Sequence, residues 1–341
     1  MQVLLVITGS ILTVAVLGLL YRIITLVGIA KGDSQKRVGT SNKINAFLFP
    51  LVLLVGLGAT AWYSGIAKEY FLPEASSIHG VKTDELFWLT MSVIGVAFLL
   101  THLLLFFFPL IYQYNEKRKA NFYAHNDKLE LVWTAIPAMV MTVLVIYGWQ
   151  LWSDITAPAA EDAVKVEIMG KQFAWELRYP GADKELGAYD VKYVDGINSM
   201  GIDFNDAQAM DDFTYREIVI PKGREVELRI RALDVIHSVF MPHFRVKMDA
   251  VPGMPTRFKF TPTKTTAEMR AELGNDKFNY ELACTEICGK GHFGMRKIIK
   301  VVEPAEYESW VAEQTAWSKQ NADYMSSTWA EKHAKTKLAK K

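Results

Sequence analysis

The sequence predicts a membrane-anchored all-β protein: transmembrane helices, then a Greek-key β-barrel or sandwich, then a C-terminal helix. Three observations carry that prediction. Residues 1–155 hold four apolar stretches, each long enough for the roughly 20 residues that cross a bilayer. From Val164 onward the pattern changes to short segments alternating apolar and polar side chains, as half-buried strands do. No convincing long helix returns until Glu303, and short strands without intervening helices favour a sandwich or barrel.

The apolar stretches lie at 3–30, 46–65, 86–113 and 129–152. Met1-Gln2-Val3 offers no basic leader and no small-residue cleavage site follows, so the first stretch reads as a retained helix with Arg22 snorkelling to one end. Lys31, Lys36, Arg37 and Lys43 follow the first span, and Lys117, Arg118, Lys119 and Lys128 follow the third. The loop between the second and third holds Glu69, Glu74, Asp84 and Glu85 against Lys68 and Lys82. The positive-inside rule puts the two basic loops in the cytoplasm and both termini outside. Trp62, Tyr63, Trp149 and Trp152 fall where helices reach the outer interface. The basic-loop pattern, with no Arg-rich transit peptide, points to a multi-pass protein of a bacterial inner membrane, its second half on the periplasmic side.

In that half, Val164–Ile168, Phe173–Tyr179, Tyr215–Ile220 and Glu225–Ile230 each fit a strand, with turns at Pro221–Gly223 and Pro252-Gly253. Residues 181–213 read as a Gly- and Asp-rich surface loop. The tail reads as an amphipathic, solvated helix ending in Lys335, Lys337, Lys340 and Lys341. The expected divisions are 1–70 (two helices), 71–158 (a helical hairpin), 159–304 (the β-domain) and 305–341 (the tail). A net charge of +1 over 341 residues gives no footprint for nucleic acid.

The chemistry concentrates in one run. Cys284 and Cys288, the only cysteines, are followed by His292 and Met295 in the spacing C-x3-C-x3-H-x2-M, and His237 stands upstream. In an oxidising compartment two cysteines usually form a disulfide, but a disulfide has no use for an added histidine pair and methionine. Thiolate, imidazole and thioether are soft donors that suit copper. A mononuclear blue-copper centre takes one thiolate and two imidazoles; two of everything except methionine point instead to two metal ions sharing bridging sulfurs. A structural zinc site on Cys284, Cys288, His292 and His237 is the alternative from a different class.

Several motifs together resemble subunit II of a haem–copper cytochrome c oxidase of the dinuclear CuA type. They are Leu129-Glu130-Leu-Val-Trp133-Thr134-Ala-Ile-Pro137, Asp234-Val-Ile-His237-Ser238, Phe244-Arg-Val-Lys-Met-Asp249-Ala-Val-Pro-Gly253, and Cys284 through Met295. The resemblance implies a two-helix hairpin with a cupredoxin-like domain, so the first two spans are additional. It implies that Cys284 and Cys288 bridge two coppers, that His237 and His292 bind one each, that Met295 is a weak ligand, and that the Glu286 carbonyl completes the set. The Glu286 side chain would reach a magnesium ion at the junction with the catalytic subunit, which implies a position close to metal rather than a surface carboxylate. The implied function is electron acceptance from reduced cytochrome c and transfer to haem in subunit I, where oxygen becomes water and protons are pumped. A quinol-oxidizing relative would lack the copper ligands.

Glu130 has two readings: an anion favoured at a helix N-terminus, or the mouth of a proton path. His102, inside the third span, reads as a functional intramembrane group or as a hydrogen-bonding partner of a neighbouring helix. Phe173 stands where the family has its electron-accepting tryptophan, with Trp175 two residues on, and Met254 replaces an arginine. His243 reads as non-ligating. No Cys-x-x-Cys-His is present, so the donor is external. The acidic residues of the insertion (Asp183, Glu185, Asp190, Asp195, Asp203, Asp206, Asp211, Asp212) read either as a surface steering a basic cytochrome or as an ordinary solvated loop.

Overall fold

The computed structural model describes residues 2–31, 40–115 and 117–331. Lys36 and Arg37 of the first basic loop, and Lys335, Lys337, Lys340 and Lys341 of the tail, lie outside the described residues. Four long helices come first: α1 Gln2–Ala30, α2 Thr40–Ala67, α3 Ile78–Ile111 and α4 Asp127–Thr156. All four are long and apolar enough to cross a membrane. Most of their large apolar side chains face outward, the arrangement a lipid solvent requires because the backbone satisfies its own polar groups within each helix. Hydroxyls follow suit: Thr13, Thr25, Thr60 and Thr142 each donate to the carbonyl four residues back.

The chain forms two compact units. One comprises Met1–Phe71 with Met91–Thr134, and the other Leu72–Thr90 with Ala135–Lys341. In the first, Phe49 of α2 packs on Phe106 of α3, ring centres 6.0 Å apart. Asn126 Oδ1 accepts the Leu129 amide at the start of α4, which caps the helix.

The second unit is a sandwich of two five-stranded sheets. Its strands are β1 Val164–Lys171, β2 Ala174–Tyr179, β3 Phe213–Thr214, β4 Ile218–Pro221, β5 Val226–Ala232, β6 His237–Met241, β7 Val246–Ala250, β8 Thr256–Phe260, β9 Tyr280–Cys284 and β10 Arg296–Val302. One sheet runs β3-β2-β1-β5-β8 and the other β4-β10-β9-β6-β7. The period of two is clean: Val164, Val166 and Ile168 of β1, Leu228 and Ile230 of β5, and Phe258 and Phe260 of β8 all enter one core with Val239, Leu282 and Ile299 of the facing sheet. The segment 72–90 is stitched on by Arg245, whose guanidinium grips both oxygens of Asp84 at 2.8 Å and also donates to the Pro73 carbonyl.

Three expectations change. The insertion is not a simple surface loop. Tyr193, Met200, Ile202 and Phe204 form a second core with Trp317 and Trp329 of the tail. The tail, in turn, is not one amphipathic helix. Helix α6 Pro304–Ala312 ends, and three short helical turns follow so that Trp317, Tyr324 and Trp329 can bury against the insertion. The third change is helix α5, Thr266–Leu273, with a complete Thr265–Glu268 capping box and Gly274 in the left-handed region.

The insertion's aspartates also have a local role. Asp190, Asp195, Asp203 and Asp206 each accept amides two or three residues ahead, folding their own turns. Asp212 is fully buried rather than part of an acidic surface. It accepts Arg178 Nη1 at 2.9 Å; Arg178 also reaches Glu167, and Glu167 reaches Arg231 at 2.7 Å. Desolvation pushes the Asp212 carboxyl up to about 7 against the pull of Arg178, while the two guanidiniums hold Glu167 below its ordinary range despite its burial.

Candidate metal centre

Strand β9 delivers Cys284 at its last residue, and the Cys284 amide donates to the Met295 carbonyl at 3.1 Å, closing a loop that runs from 285 to 295. Gly289 bends that loop at φ +131°, a conformation that L side chains rarely adopt. The His292–Gly294 turn returns the chain to β10. Strand β6 pairs Val239 with Cys284, so His237, two residues earlier, overhangs the loop from the neighbouring strand. His237 is the first residue of β6. The Thr285 amide donates to the Ser238 carbonyl at 3.2 Å and locks that register.

The result is a buried cluster. One ligand atom each from His237, Cys284 and Cys288 lies within 4.8 Å of the others. Cys284 Sγ stands 4.0 Å from His237 Nδ1 and donates to the Glu286 carbonyl at 3.3 Å. Cys288 Sγ stands 3.6 Å from His292 Nδ1 and 3.3 Å from Met295 Sδ. Both cysteines are free thiols, so the disulfide reading fails. Burial, then the adjacent Cys284 sulfur, pushes the Cys288 thiol up to about 11; a bound cation reverses this and takes the thiols as thiolates. Two buried thiols and a buried imidazole, with the His292 ring and the Met295 thioether against Cys288, fit soft, thiophilic copper.

Two segments of the chain match known families. Residues 164–302 match the family described as "Cytochrome C oxidase subunit II, periplasmic domain". Residues 65–151 match "Cytochrome C oxidase subunit II, transmembrane domain". The chain belongs to the cytochrome c oxidase subunit II family. Among its relatives, the "Alternative cytochrome c oxidase subunit 2" of Bradyrhizobium diazoefficiens is 29% identical over 282 residues, covering 79% of this chain and 92% of that one. The "Cytochrome c oxidase subunit 2" of Synechocystis sp. is 26% identical over 286 residues, covering 77% and 81%. A solved structure of the periplasmic domain of subunit II of cytochrome oxidase of Bradyrhizobium japonicum is 28% identical, covering 48% of this chain and 99% of that one, with a TM-score of 0.32.

Membership makes this a membrane-embedded subunit of a haem–copper oxidase, an oxidoreductase complex with further subunits, and implies a copper centre. Its β-domain is the cupredoxin-like sandwich described above. Trp175 is 2% exposed, meets the His237 ring edge-on with centres 5.8 Å apart, and donates its indole N–H to the Met295 carbonyl at 3.3 Å. Phe173, 42% exposed, lies over the metal loop close to Gly289 and Gly291. Glu286 presents its side chain to solvent, not to a buried site. Met254 is exposed beside Gly253. His243 stays clear of the cluster, edge-on to Phe278 and Tyr280. Glu130 sits exposed in the first turn of α4. Among the described residues His102 pairs with the Phe98 carbonyl of its own helix at 2.8 Å and not with a neighbouring helix, its ring lying between Phe98 and Phe106.

The sequence reading missed the groups that aim the ligands. Asp234 Oδ1 meets His237 Nε2 at 3.0 Å, which turns Nδ1 toward Cys284. Asp234 Oδ2 accepts the Gln172 amide at 2.7 Å, and Gln172 Nε2 donates to the Cys288 carbonyl at 2.6 Å. Partial burial raises the Asp234 carboxyl, but the Gln172 amide and the His237 ring outweigh it and hold the group below its ordinary value. An acid three residues before a ligating histidine was the available signal. Gly170 has no sequence signal: a Cβ there would lie 2.8 Å from His237 Cδ2, so only glycine leaves room for the ring.

Proposed function

We propose that this chain is the electron-accepting subunit of its oxidase, and that Cys284 and Cys288 would both hold a dinuclear copper centre. His237 and His292 would each hold one copper, Met295 would be the weak thioether ligand, and the Glu286 carbonyl the last donor. Such a pair would take one electron at a time from reduced cytochrome c and relay it to haem in subunit I, where oxygen is reduced to water and protons are pumped. The observation that carries this reading is the convergence of His237, Cys284 and Cys288 within 4.8 Å, with His292 and Met295 both against Cys288.

The chain's own residues prepare the site. Asp234 fixes the tautomer and angle of His237, Gln172 pins the loop at the Cys288 carbonyl, and Trp175 closes the floor against water. A cage held by two sheets changes little in shape when its charge changes, which keeps reorganisation small. Phe173 is the exposed aromatic over the loop and the proposed contact for the donor, with Trp175 beneath it. The solvent-facing Glu286 carboxylate is free to share a magnesium ion with subunit I, and Glu130 is proposed at the mouth of a proton path. The β-domain then lies on the periplasmic face of a bacterial inner membrane. The divisions 1–70, 71–158, 159–304 and 305–341 serve as extra anchor, helical hairpin, copper domain and tail.

The test is electron paramagnetic resonance of the full-length chain in detergent, reconstituted with copper in the absence of haem-bearing subunits. A seven-line hyperfine pattern is expected from one unpaired electron on two equivalent coppers. A four-line pattern would mean one copper, and a silent, colourless protein carrying zinc would make the cluster structural.

A further inference from the structure

The outward face of the sheet β3-β2-β1-β5-β8 carries a row of charges set by register. Arg178 of β2 faces Glu167 of β1, Glu167 faces Arg229 of β5, and Arg229 faces Arg257 of β8. The row is unbalanced. Both oxygens of Glu167 are taken, by Arg178 and by Arg231. What remains is two arginines directly opposite each other, a like-charge pairing that destabilises a sheet unless something lies between. Arg229 reaches only Glu227, at 3.5 Å, among the described residues. Arg257 donates Nε to the Thr156 carbonyl at 2.9 Å and keeps its terminal nitrogens unused among the described residues. A cleft of about 720 Å³ opens over this pair, and its walls present four guanidiniums against the carboxylates of Glu167 and Glu227. Tyr189 of the insertion bounds it, its ring 4.0 Å from the Arg231 guanidinium.

The position of the cleft narrows the ligand. Thr156 is the last residue of α4, a helix that is apolar and long enough to span the bilayer. Lys259, on the same outward face as Arg257, reaches the Pro158 carbonyl at 3.3 Å just beyond. Trp149 and Trp152, exposed in the final two turns of α4, mark the interfacial belt. Arg257 and Lys259 are therefore tethered at headgroup depth. Planar guanidinium forks match the oxygens of a phosphate, the anion that every phospholipid headgroup carries at that depth.

We infer that the Arg229–Arg257 cleft binds the phosphate of an anionic phospholipid headgroup from the outer leaflet. The bound phosphodiester bridges the two facing guanidiniums and removes their repulsion. This site is separate from the metal centre and does not depend on its occupancy.

The experiment uses the whole oxidase complex, delipidated in neutral detergent. Its thermal unfolding is followed while dioctanoyl phosphatidylglycerol, dioctanoyl phosphatidylcholine or inorganic phosphate is added, and native mass spectrometry counts the lipid retained. Phosphatidylglycerol is expected to raise the unfolding temperature saturably. The double variant Arg229→Gln/Arg257→Gln should shift the half-saturating concentration upward about tenfold or more, the scale of losing charge-assisted hydrogen bonds, and retain one phosphatidylglycerol fewer. Arg229→Lys/Arg257→Lys keeps the charge without the forks, and should assemble even where the glutamine pair does not, with an intermediate affinity. An equal response to inorganic phosphate would overturn the lipid assignment in favour of a soluble anion. No saturable shift in the wild-type complex, or equal lipid retention in the variants, would overturn the site altogether.

Discussion

Replacing Gly170 by alanine tests whether close packing of the sheet holds the metal-binding histidine in place. A Cβ at 170 would stand 2.8 and 2.9 Å from His237 Cδ2 and Cγ, and 3.0 Å from Trp175 Cζ3. Carbon pairs rest at about 3.5–4.0 Å, so something must yield by about 0.7 Å. The strand cannot yield easily, because Gly170 is paired on one side with Trp175 of β2 and on the other with Ala232 of β5. The indole is fixed by its bond to the Met295 carbonyl. The His237 ring moves instead, by more than the roughly 0.2 Å that a metal–ligand bond tolerates. Overpacking of this kind costs about 1–3 kcal/mol, and misaiming a ligand costs about 10–100-fold in metal affinity.

The assay pairs the thermal midpoint of the copper-free chain in detergent with copper competition against a chelator. Gly294→Ala is the matched control. It lies in the metal loop, has no positive φ, and its Cβ would meet nothing within 4 Å, so it should change neither readout. If Gly170→Ala left both the midpoint and copper affinity at their wild-type values, the packing argument would be refuted.

Other perturbations have equally definite outcomes. Arg178→Ala strands the buried carboxylates of Glu167 and Asp212 and should lower stability by about 3–5 kcal/mol, read as a drop in unfolding midpoint; Glu185→Gln, at the exposed end of the Lys165 pair, should cost under about 1 kcal/mol. Asp212 has a folded pKa of about 7 against an ordinary 3.8, so the folded state binds the extra proton. Its contribution is therefore fully present below about 4 and lost as pH rises through about 7. Asp212→Asn should remove that segment of the stability–pH curve while leaving the acid-side loss due to Glu167, whose pKa is lowered. Asp234→Asn keeps the size of the group but weakens its hold on His237; copper affinity should fall about 10–100-fold with little change in the copper-free midpoint. Phe173→Ala uncovers Gly289 and Gly291, and should lower kcat/KM for the cytochrome donor in the assembled oxidase more than it lowers copper content.

What the sequence made legible was local. Four apolar runs marked the helices, and Cys284, Cys288, His292 and Met295 declared a soft metal site because twelve consecutive positions hold all four. His237 could be joined to them only through its motif, since the β6–β9 pairing that brings it to Cys284 is long-range. The capping box at Thr265 and Glu268 was equally local and went unread because the segment behind it is short and polar. The insertion was illegible for a different reason. Tyr193 and Phe204 are buried by Trp317 and Trp329, which lie more than a hundred residues later. Asp212 looked like one acid among eight until Arg178 met it across the sheet.

That same insertion explains why one sheet face carries two kinds of charge. Strand β1 is buried on both sides, its inward residues by the core and its outward Glu167 and Met169 beneath residues of the insertion. Under that cover Arg178, Glu167, Arg231 and Asp212 pair with one another, as buried polar groups must. The cover stops before β8. Arg229 and Arg257 are the first residues of the row beyond it, and among the described residues their one carboxylate partner is Glu227, 3.5 Å from Arg229. A sequence free to place any residue on an outward strand position has an easy alternative in threonine or glutamate, so two facing arginines at the end of a membrane span are explained most simply by an anion that the membrane itself supplies.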